Sequence, residues 1–145
     1  MPWVIDGDNL LGSWPGRRRS RAERRSLAFQ LDRFAAQRRR RVVVVFDGPA
    51  ADSPGLGRDV IFAGPARSAD EVILSLLREA RDPRGWTVVT SDRSLGDQCR
   101  YLGARVDRSA RFRKRLTSEV EPEKPRGEID VDYWLEQFGE DGETD

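Results

Sequence analysis

Acidic side chains recur in this chain directly after short apolar segments. The acids that end such segments, or follow them after a short loop, are Asp6 and Asp8 after Trp3 to Ile5, Asp47 after Val42 to Phe46, Asp70 and Glu71 after Val60 to Ala63, and Asp92 after Trp86 to Ser91. Like charges a few ångströms apart cannot all stay ionised, so such acids need a positive partner. A hard divalent cation is the simplest partner, and the pattern predicts metal-assisted chemistry on a phosphate.

The sequence contains no histidine and a single cysteine, Cys99. The absence of histidine excludes Ser-His-Asp and Cys-His catalysis and the usual zinc sites. Ionised metal ligands must then be Asp and Glu, which suit Mg²⁺ or Mn²⁺. One cysteine excludes an internal disulfide and fits a reducing cytoplasm. No apolar run is long enough for a membrane span and no signal-peptide pattern is present, so we expect a cytoplasmic protein without a membrane partner.

Charge is distributed unevenly along the 145 residues. Residues 1–118 hold 24 Lys and Arg against 14 Asp and Glu, whereas residues 119–145 hold 2 against 11. A basic body favours polyanionic partners, although 24 of the 26 basic residues are Arg, which codon bias also explains. We therefore expect one domain over 1–118 and an acidic extension over 119–145, with a short helix within 129–138. That extension could cover the basic face or simply aid solubility.

Strand-like and helix-like patterns alternate along the body. The run from Val42 to Phe46 is typical of a strand buried on both faces, and Ser20-x-x-Glu23 and Ser68-x-x-Glu71 are capping boxes that open helices. This alternation predicts an α/β fold with a mostly parallel sheet and helices on both faces. The predicted strands are 3–5, 42–46, 60–63, 86–90 and 104–106, and the predicted helices run from about 20 to 37, from 68 to 80, around 95–102 and from 109 to 116.

In open α/β sheets the site lies beyond the carboxyl ends of the strands, which is where these acids fall. We expect Asp6, Asp70 and Asp92 to be catalytic and to bind metal, with Asp47 as a further ligand. Simpler explanations exist for some of them, because Asp92 could cap the following helix and acids are favoured in the first helical turn that holds Asp70. The weaker supporting candidates are Asn9, Glu71, Asp97 and Asp8.

Four segments together resemble the ordered motifs of the NYN domain, in particular its YacP-like branch within the PIN-like nuclease superfamily. They are Val-Ile-Asp-Gly-Asp-Asn-Leu-Leu-Gly, Val-Val-Phe-Asp-Gly, Ser-Ala-Asp-Glu-Val-Ile and Val-Val-Thr-Ser-Asp-Arg. The resemblance spans about residues 3–118. One departure is Asp8, where the family commonly has an aromatic residue; an extra acid there could tune metal binding or repel substrate phosphate.

The resemblance implies a sheet of order 3-2-1-4-5 and metal-dependent cleavage of RNA. For the YacP-like branch it implies an endoribonuclease linked to translating ribosomes. By motif position, Asp6, Asp70 and Asp92 match the family's catalytic acids, with Asn9 and Asp47 in support.

Two basic segments are candidates for RNA contacts. Trp14 beside Arg17, Arg18 and Arg19 could stack a base while the arginines hold phosphates, or could pack under a loop with solvated arginines. A second basic patch contains Arg111, Arg113 and Lys114.

We expect a metal-dependent endoribonuclease that hydrolyses single-stranded RNA. One alternative is a catalytically silent module that binds RNA or ribosomes. Another is a haloacid-dehalogenase-like phosphatase, because Asp6-Gly7-Asp8 imitates that family's Asp-x-Asp motif. That family, however, expects Thr or Val at the position of Leu10 and a lysine before the last acid, and both lysines here follow Asp92. The sequence leaves open the RNA target, the number of metal ions and the oligomeric state.

Overall fold

The computed structural model describes residues 1–49 and 59–120, the last two as backbone only. The predicted helix within 129–138 lies outside these residues. The strands are β1 (Trp3–Asp6), β2 (Val42–Phe46), β3 (Val60–Phe62), β4 (Thr87–Val89) and β5 (Arg105–Asp107). The helices are α1 (Gly7–Gly12), α2 (Arg21–Arg38), α3 (Ala69–Glu79), α4 (Arg93–Tyr101) and α5 (Ser109–Val120), and a 3-10 turn at Pro83–Gly85 precedes β4.

The five strands form one parallel sheet in the order β3-β2-β1-β4-β5, which confirms the order that the resemblance implied. β1 is the central strand, and its Trp3 lies opposite Val42 of β2 and Thr87 of β4. The order reverses at β1, so Asp6, its last residue, lies at the switch point of the carboxyl edge.

Helices cover both faces of the sheet, as the sequence predicted. Alternate side chains of a strand point to opposite faces, which splits the core into two layers. Trp3, Ile5 and Val44 pack with buried residues of α1, α2 and α5. Val4 and Val43 pack with buried residues of α3 and α4 on the other face. Helices cover β2 on both sides of the sheet, so all five of its residues are buried. This double burial explains why all five are apolar.

α1 was not predicted, because six residues are too few to show helical periodicity. It begins immediately after Asp6 with Gly7, and a Cβ at that position would lie 2.4 Å from Cε1 of Phe46. Only glycine fits this close approach between α1 and β2. The other elements were predicted in the right places, with ends that differ by up to four residues.

The predicted helix starts at Ser20 and Ser68 are confirmed. The Ser20 hydroxyl accepts a hydrogen bond from the Glu23 amide, and Ser68 and Glu71 form a full capping box. α2 ends at Arg39, which adopts the left-handed conformation with φ of 56°. Within the described ranges, no helix is long and apolar enough to cross a membrane.

Candidate active site

Asp6 lies at the centre of the carboxyl edge and is only 5% exposed. Its Oδ2 accepts a hydrogen bond from the Thr90 hydroxyl at 2.9 Å, and no described cationic side chain bonds to it. The pKa of Asp6 is raised to about 7, mainly by its burial and in addition by the charges of Asp70, Asp47 and Asp8, against the lowering effect of the Thr90 hydrogen bond. An acid this buried without a cation is costly when ionised.

Asp47 and Asp70 lie at the junction between the end of β2 and the start of α3. Asp47 follows β2, and its Oδ1 accepts a hydrogen bond from the Ala69 amide at 2.8 Å, which fixes the start of α3 beside the end of β2. Asp70 is the next residue of α3. Partial burial raises the pKa of Asp70, and so do the charges of Asp92, Asp47 and Glu71. Asp6, Asp47, Asp70 and Asp92, called the acid cluster below, therefore act on one another electrostatically.

Asp92 is held by the first turn of α4 and by Thr90. Its Oδ1 accepts a hydrogen bond from the Leu95 amide at 3.1 Å, so the capping role anticipated from sequence is present. Its own amide donates to the Thr90 hydroxyl at 3.1 Å. Thr90 thus joins two acids of the site through a single oxygen, and it is a site residue that the sequence analysis did not identify. The signal was its place in Thr90-Ser91-Asp92, directly after a buried strand.

Asp8 is paired within the fold. Both of its carboxylate oxygens accept hydrogen bonds from the Arg24 guanidinium, at 2.9 and 3.0 Å. Asp8 Oδ2 also accepts from the Asp47 amide at 2.9 Å. The Asp8 side chain is 5% exposed and that of Arg24 24% exposed. Asp8 therefore positions Asp47 and connects α2 to the end of β2, and its charge is offset by Arg24.

Asn9 joins the central strand region to the α4 and α5 sides of the site. Its Oδ1 accepts hydrogen bonds from the Ser91 amide at 2.8 Å and from the buried Ser109 hydroxyl at 2.7 Å. The Ser109 amide in turn donates to the Ser91 hydroxyl at 3.0 Å. Asn9 thus fixes the loop that carries Asp92.

The other supporting candidates lie less centrally. Glu71 closes the capping box of α3 through its bond to the Ser68 amide, at 3.0 Å. Asp97 is exposed on α4 and pairs with Arg100 at 3.3 Å. It contributes to neither of the raised pKa values of the acid cluster.

The predicted RNA-binding residues fall into two places. The Arg17 guanidinium lies 4.3 Å from the Trp14 ring centroid and bonds to Glu23 and Gln30, while Arg18 and Arg19 are exposed. Arg113 donates to the Ser13 carbonyl and, with Trp14 and Lys114, lines a groove of about 420 Å³. Arg111 lies elsewhere, in a groove beside β5.

The acid cluster fits a hard cation by its donor chemistry. Its ligands are oxygens, and Asp6, Asp47 and Asp92 each use one oxygen for a hydrogen bond within the described residues. The other oxygen of each carboxylate makes no such bond there. In residues 1–49 and 59–120, no three His, Cys, Asp or Glu side chains already converge as a formed coordination site. The acid cluster therefore suits Mg²⁺ or Mn²⁺ because its donors are oxygens and because its negative charges lie close to one another.

The Thr90 hydroxyl gives a direct test of these electrostatics. We expect Thr90→Val to raise the pKa of Asp6 by about one unit in EDTA, because the lost hydrogen bond stabilised the ionised form. Carbon-13 NMR titration of the aspartate carboxyl groups measures this value. Thr90→Ser keeps the hydroxyl and should leave the pKa of Asp6 unchanged; an unchanged pKa in Thr90→Val as well would contradict the role assigned to Thr90.

A parallel sheet of order 3-2-1-4-5, covered by helices on both faces, defines a PIN-like α/β fold with acids at its carboxyl edge. The chain belongs to the family of YacP-like NYN domains, whose family model matches residues 3–131. The matched segment extends past residue 118, where the sequence analysis placed the domain boundary. NYN domains are nuclease-like, and this membership supports an RNase-type function.

Solved structures of Rae1 (YacP) from Bacillus subtilis are similar to the chain. A point mutant of that protein shares 25% sequence identity with a TM-score of 0.65, over 81% of this chain and 75% of that chain. A second structure of Rae1 shares 20% identity with a TM-score of 0.67, over 81% of this chain and 74% of that chain. No curated protein matches the chain.

Proposed function

We propose that this protein is a metal-dependent endoribonuclease that hydrolyses phosphodiester bonds of single-stranded RNA. The observation that carries the proposal is the raised pKa of Asp6, whose buried carboxylate lies among other acids and accepts a hydrogen bond from the Thr90 hydroxyl. Acids whose pKa values are strongly shifted by burial and by neighbouring charges cluster at functional sites. Family membership supplies the substrate class.

Asp6, Asp70 and Asp92 would hold Mg²⁺ or Mn²⁺, with Asp47 as a further ligand. A bound cation there would stabilise the negative charge that develops on the phosphate during attack by water. The chain's own residues supply the geometry. Thr90 orients Asp6, the Ala69 amide orients Asp47, and Asn9 holds the loop of Asp92. Attack by water needs no covalent intermediate.

Single-stranded RNA would reach the acid cluster past two basic regions. The exposed Arg18 and Arg19 would hold phosphates near Trp14, and Lys114 lines the Trp14 groove. Glu71 and Asp8 would act through the fold around the acids. The likeness to the YacP-like branch supports a cytoplasmic enzyme acting on mRNA in a ribosome-associated context.

Cleavage of single-stranded RNA tests the proposal. With Mn²⁺ or Mg²⁺, we expect Asp6→Asn and Asp92→Asn each to slow cleavage at least about a hundredfold, because each loses a charged oxygen at the reacting phosphate. Single-turnover rates on a labelled oligonucleotide measure the loss. Glu79→Gln, an exposed acid at the far end of α3, is the matched control and should cleave at the wild-type rate.

Other outcomes separate the alternatives. RNA binding without cleavage by the wild type, with either cation, would make the protein a silent binding module. Release of phosphate from small esters without RNA cleavage would favour a phosphatase. Cleavage at the wild-type rate by Asp6→Asn would remove the acid cluster from the mechanism.

A further inference from the structure

A further basic region lies away from the acid cluster. Two open grooves, of about 740 and 390 Å³, adjoin at Arg40, which lines both. They lie where β1, β2 and β4 begin, at Trp3, Val42 and Thr87, and the smaller groove continues beside β5. Six arginines line them, here called the arginine surface: Arg39, Arg40, Arg41, Arg105, Arg111 and Arg115.

The ion pairs within these grooves leave a net positive charge. Three acids line the same grooves. Asp59 pairs with Arg41 at 3.1 Å and Asp107 lies 3.7 Å from Arg111, while Asp32 makes no ion pair with any of the six arginines in the described part of the chain. Four arginines have no carboxylate within ion-pair distance in the described part of the chain: Arg39, Arg40, Arg105 and Arg115.

Two of these arginines are held against a ring. The guanidinium groups of Arg40 and Arg115 lie 5.9 and 5.6 Å from the Trp3 ring centroid. Such cation–π contacts limit the motion of each side chain while its nitrogens keep their donors, so less entropy is lost when an anion binds. Trp3 is itself 5% exposed and offers no face for a base. The surface is therefore equipped to hold phosphates and is not equipped to stack bases.

We propose that the arginine surface binds the phosphodiester backbone of folded RNA, independently of base sequence. Arginine forks match phosphate oxygens in pairs, and charges spread over two adjoining grooves match the rows of phosphates on an RNA helix. This binding deepens the proposed function, because it names a second part of the RNA that the enzyme holds.

The surface and the acid cluster contact different parts of the RNA. Trp3 and Asp6 are the two ends of β1, which spans about 10 Å at 3.3 Å per residue. No residue of the acid cluster lines either groove. A folded segment held at the arginine surface would leave a neighbouring single strand free to enter the carboxyl edge.

Binding of a short RNA hairpin to the full chain in EDTA tests this proposal, and it needs no cleavage. We expect Arg40→Gln/Arg105→Gln to weaken binding about tenfold and to reduce the slope of log K against log salt by about 1.5, since each lost phosphate contact removes about 0.7 to 0.9. The matched control is Arg78→Gln/Arg81→Gln, which removes two exposed arginines, one in the last turn of α3 and one just after it, and should bind like the wild type. Hairpins of unrelated sequence should bind equally.

Three results would overturn the proposal. The first is wild-type affinity and salt slope in Arg40→Gln/Arg105→Gln. The second is equal weakening in the Arg78→Gln/Arg81→Gln control. The third is displacement of the hairpin by polyglutamate as readily as by unlabelled RNA, which would assign the surface to an acidic protein. If thermal melting shows that the first variant is unfolded, Arg39→Gln/Arg105→Gln, which touches no ring, replaces it with the same expected result.

Discussion

Asp6→Asn should stabilise the metal-free protein by about 2–4 kcal/mol at pH 8 and by almost nothing at pH 4. The pKa of Asp6 is about 7 in the folded protein, against an ordinary value of 3.8 for an aspartate. Between these values the folded state binds more protons than the unfolded state, so the free energy of unfolding falls as the pH rises from about 4 to about 7. Asparagine has no such titration and keeps an oxygen to accept the Thr90 hydrogen bond, so the variant avoids this loss.

Urea unfolding in EDTA at several pH values measures the difference. The control is Glu79→Gln, an exposed residue whose substitution should change the free energy of unfolding by no more than about 0.5 kcal/mol at any pH. Equal stability of Asp6→Asn and wild type at pH 8 would mean that Asp6 is not destabilising when ionised.

A cation should reduce this difference. Added Mn²⁺ should stabilise the wild type by about 2.7 kcal/mol at a hundred times its dissociation constant, because it binds the folded state. Asp6→Asn lacks a ligand and should gain less, so the gap in stability between the two proteins closes as Mn²⁺ is added. This readout is independent of any cleavage assay.

Arg24→Met should cost about 3–5 kcal/mol of unfolding free energy. The substitution leaves the Asp8 carboxylate buried without its cationic partner, and such a charge costs more than the pair itself contributes. Asp8 also accepts from the Asp47 amide, so the loss should loosen the junction of β2 and α3. Chemical denaturation at neutral pH measures the change.

The double variant Asp8→Asn/Arg24→Met separates charge from packing. It removes the buried charge while leaving an oxygen for the Asp47 amide, and we expect it to recover most of the lost stability. Arg100→Met, which breaks the exposed pair with Asp97, should change stability by less than about 1 kcal/mol. A double variant no more stable than Arg24→Met would show that the loss came from packing of the Arg24 stem.

The fold was largely predictable because its signals are local. β2 reads as a doubly buried strand from five apolar residues in a row, and Ser20 and Ser68 mark helix starts by side-chain chemistry. The strand order came from the resemblance, since spacing alone does not say which strands are neighbours. α1 escaped prediction because its six residues are too few to show helical periodicity.

The site was predictable only in part, because many of its contacts join residues that are distant in sequence. A parallel sheet gathers strand ends at one edge, so the sequence alone predicts that Asp6, Asp47 and Asp92 lie together. The hydrogen-bond partners of the site residues could not be predicted in this way. Thr90 lies 84 residues from Asp6, Arg24 lies 16 residues from Asp8, and Ser109 lies 100 residues from Asn9. Pairing over such separations depends on the packed arrangement of elements, so Asp8 looked like an additional free acid.

The acids of the cluster differ in what they do for the fold. Asp92 caps α4 and Asp47 binds the first amide of α3, so their side chains hold helices in place. Asp6 holds no helix start, and its charge opposes folding near neutral pH. Laboratory evolution toward thermal tolerance alone would therefore retain a capping side chain at Asp92 and discard the charge at Asp6. The expected product is a more stable variant that has lost catalytic activity. The selection must therefore also require catalytic turnover.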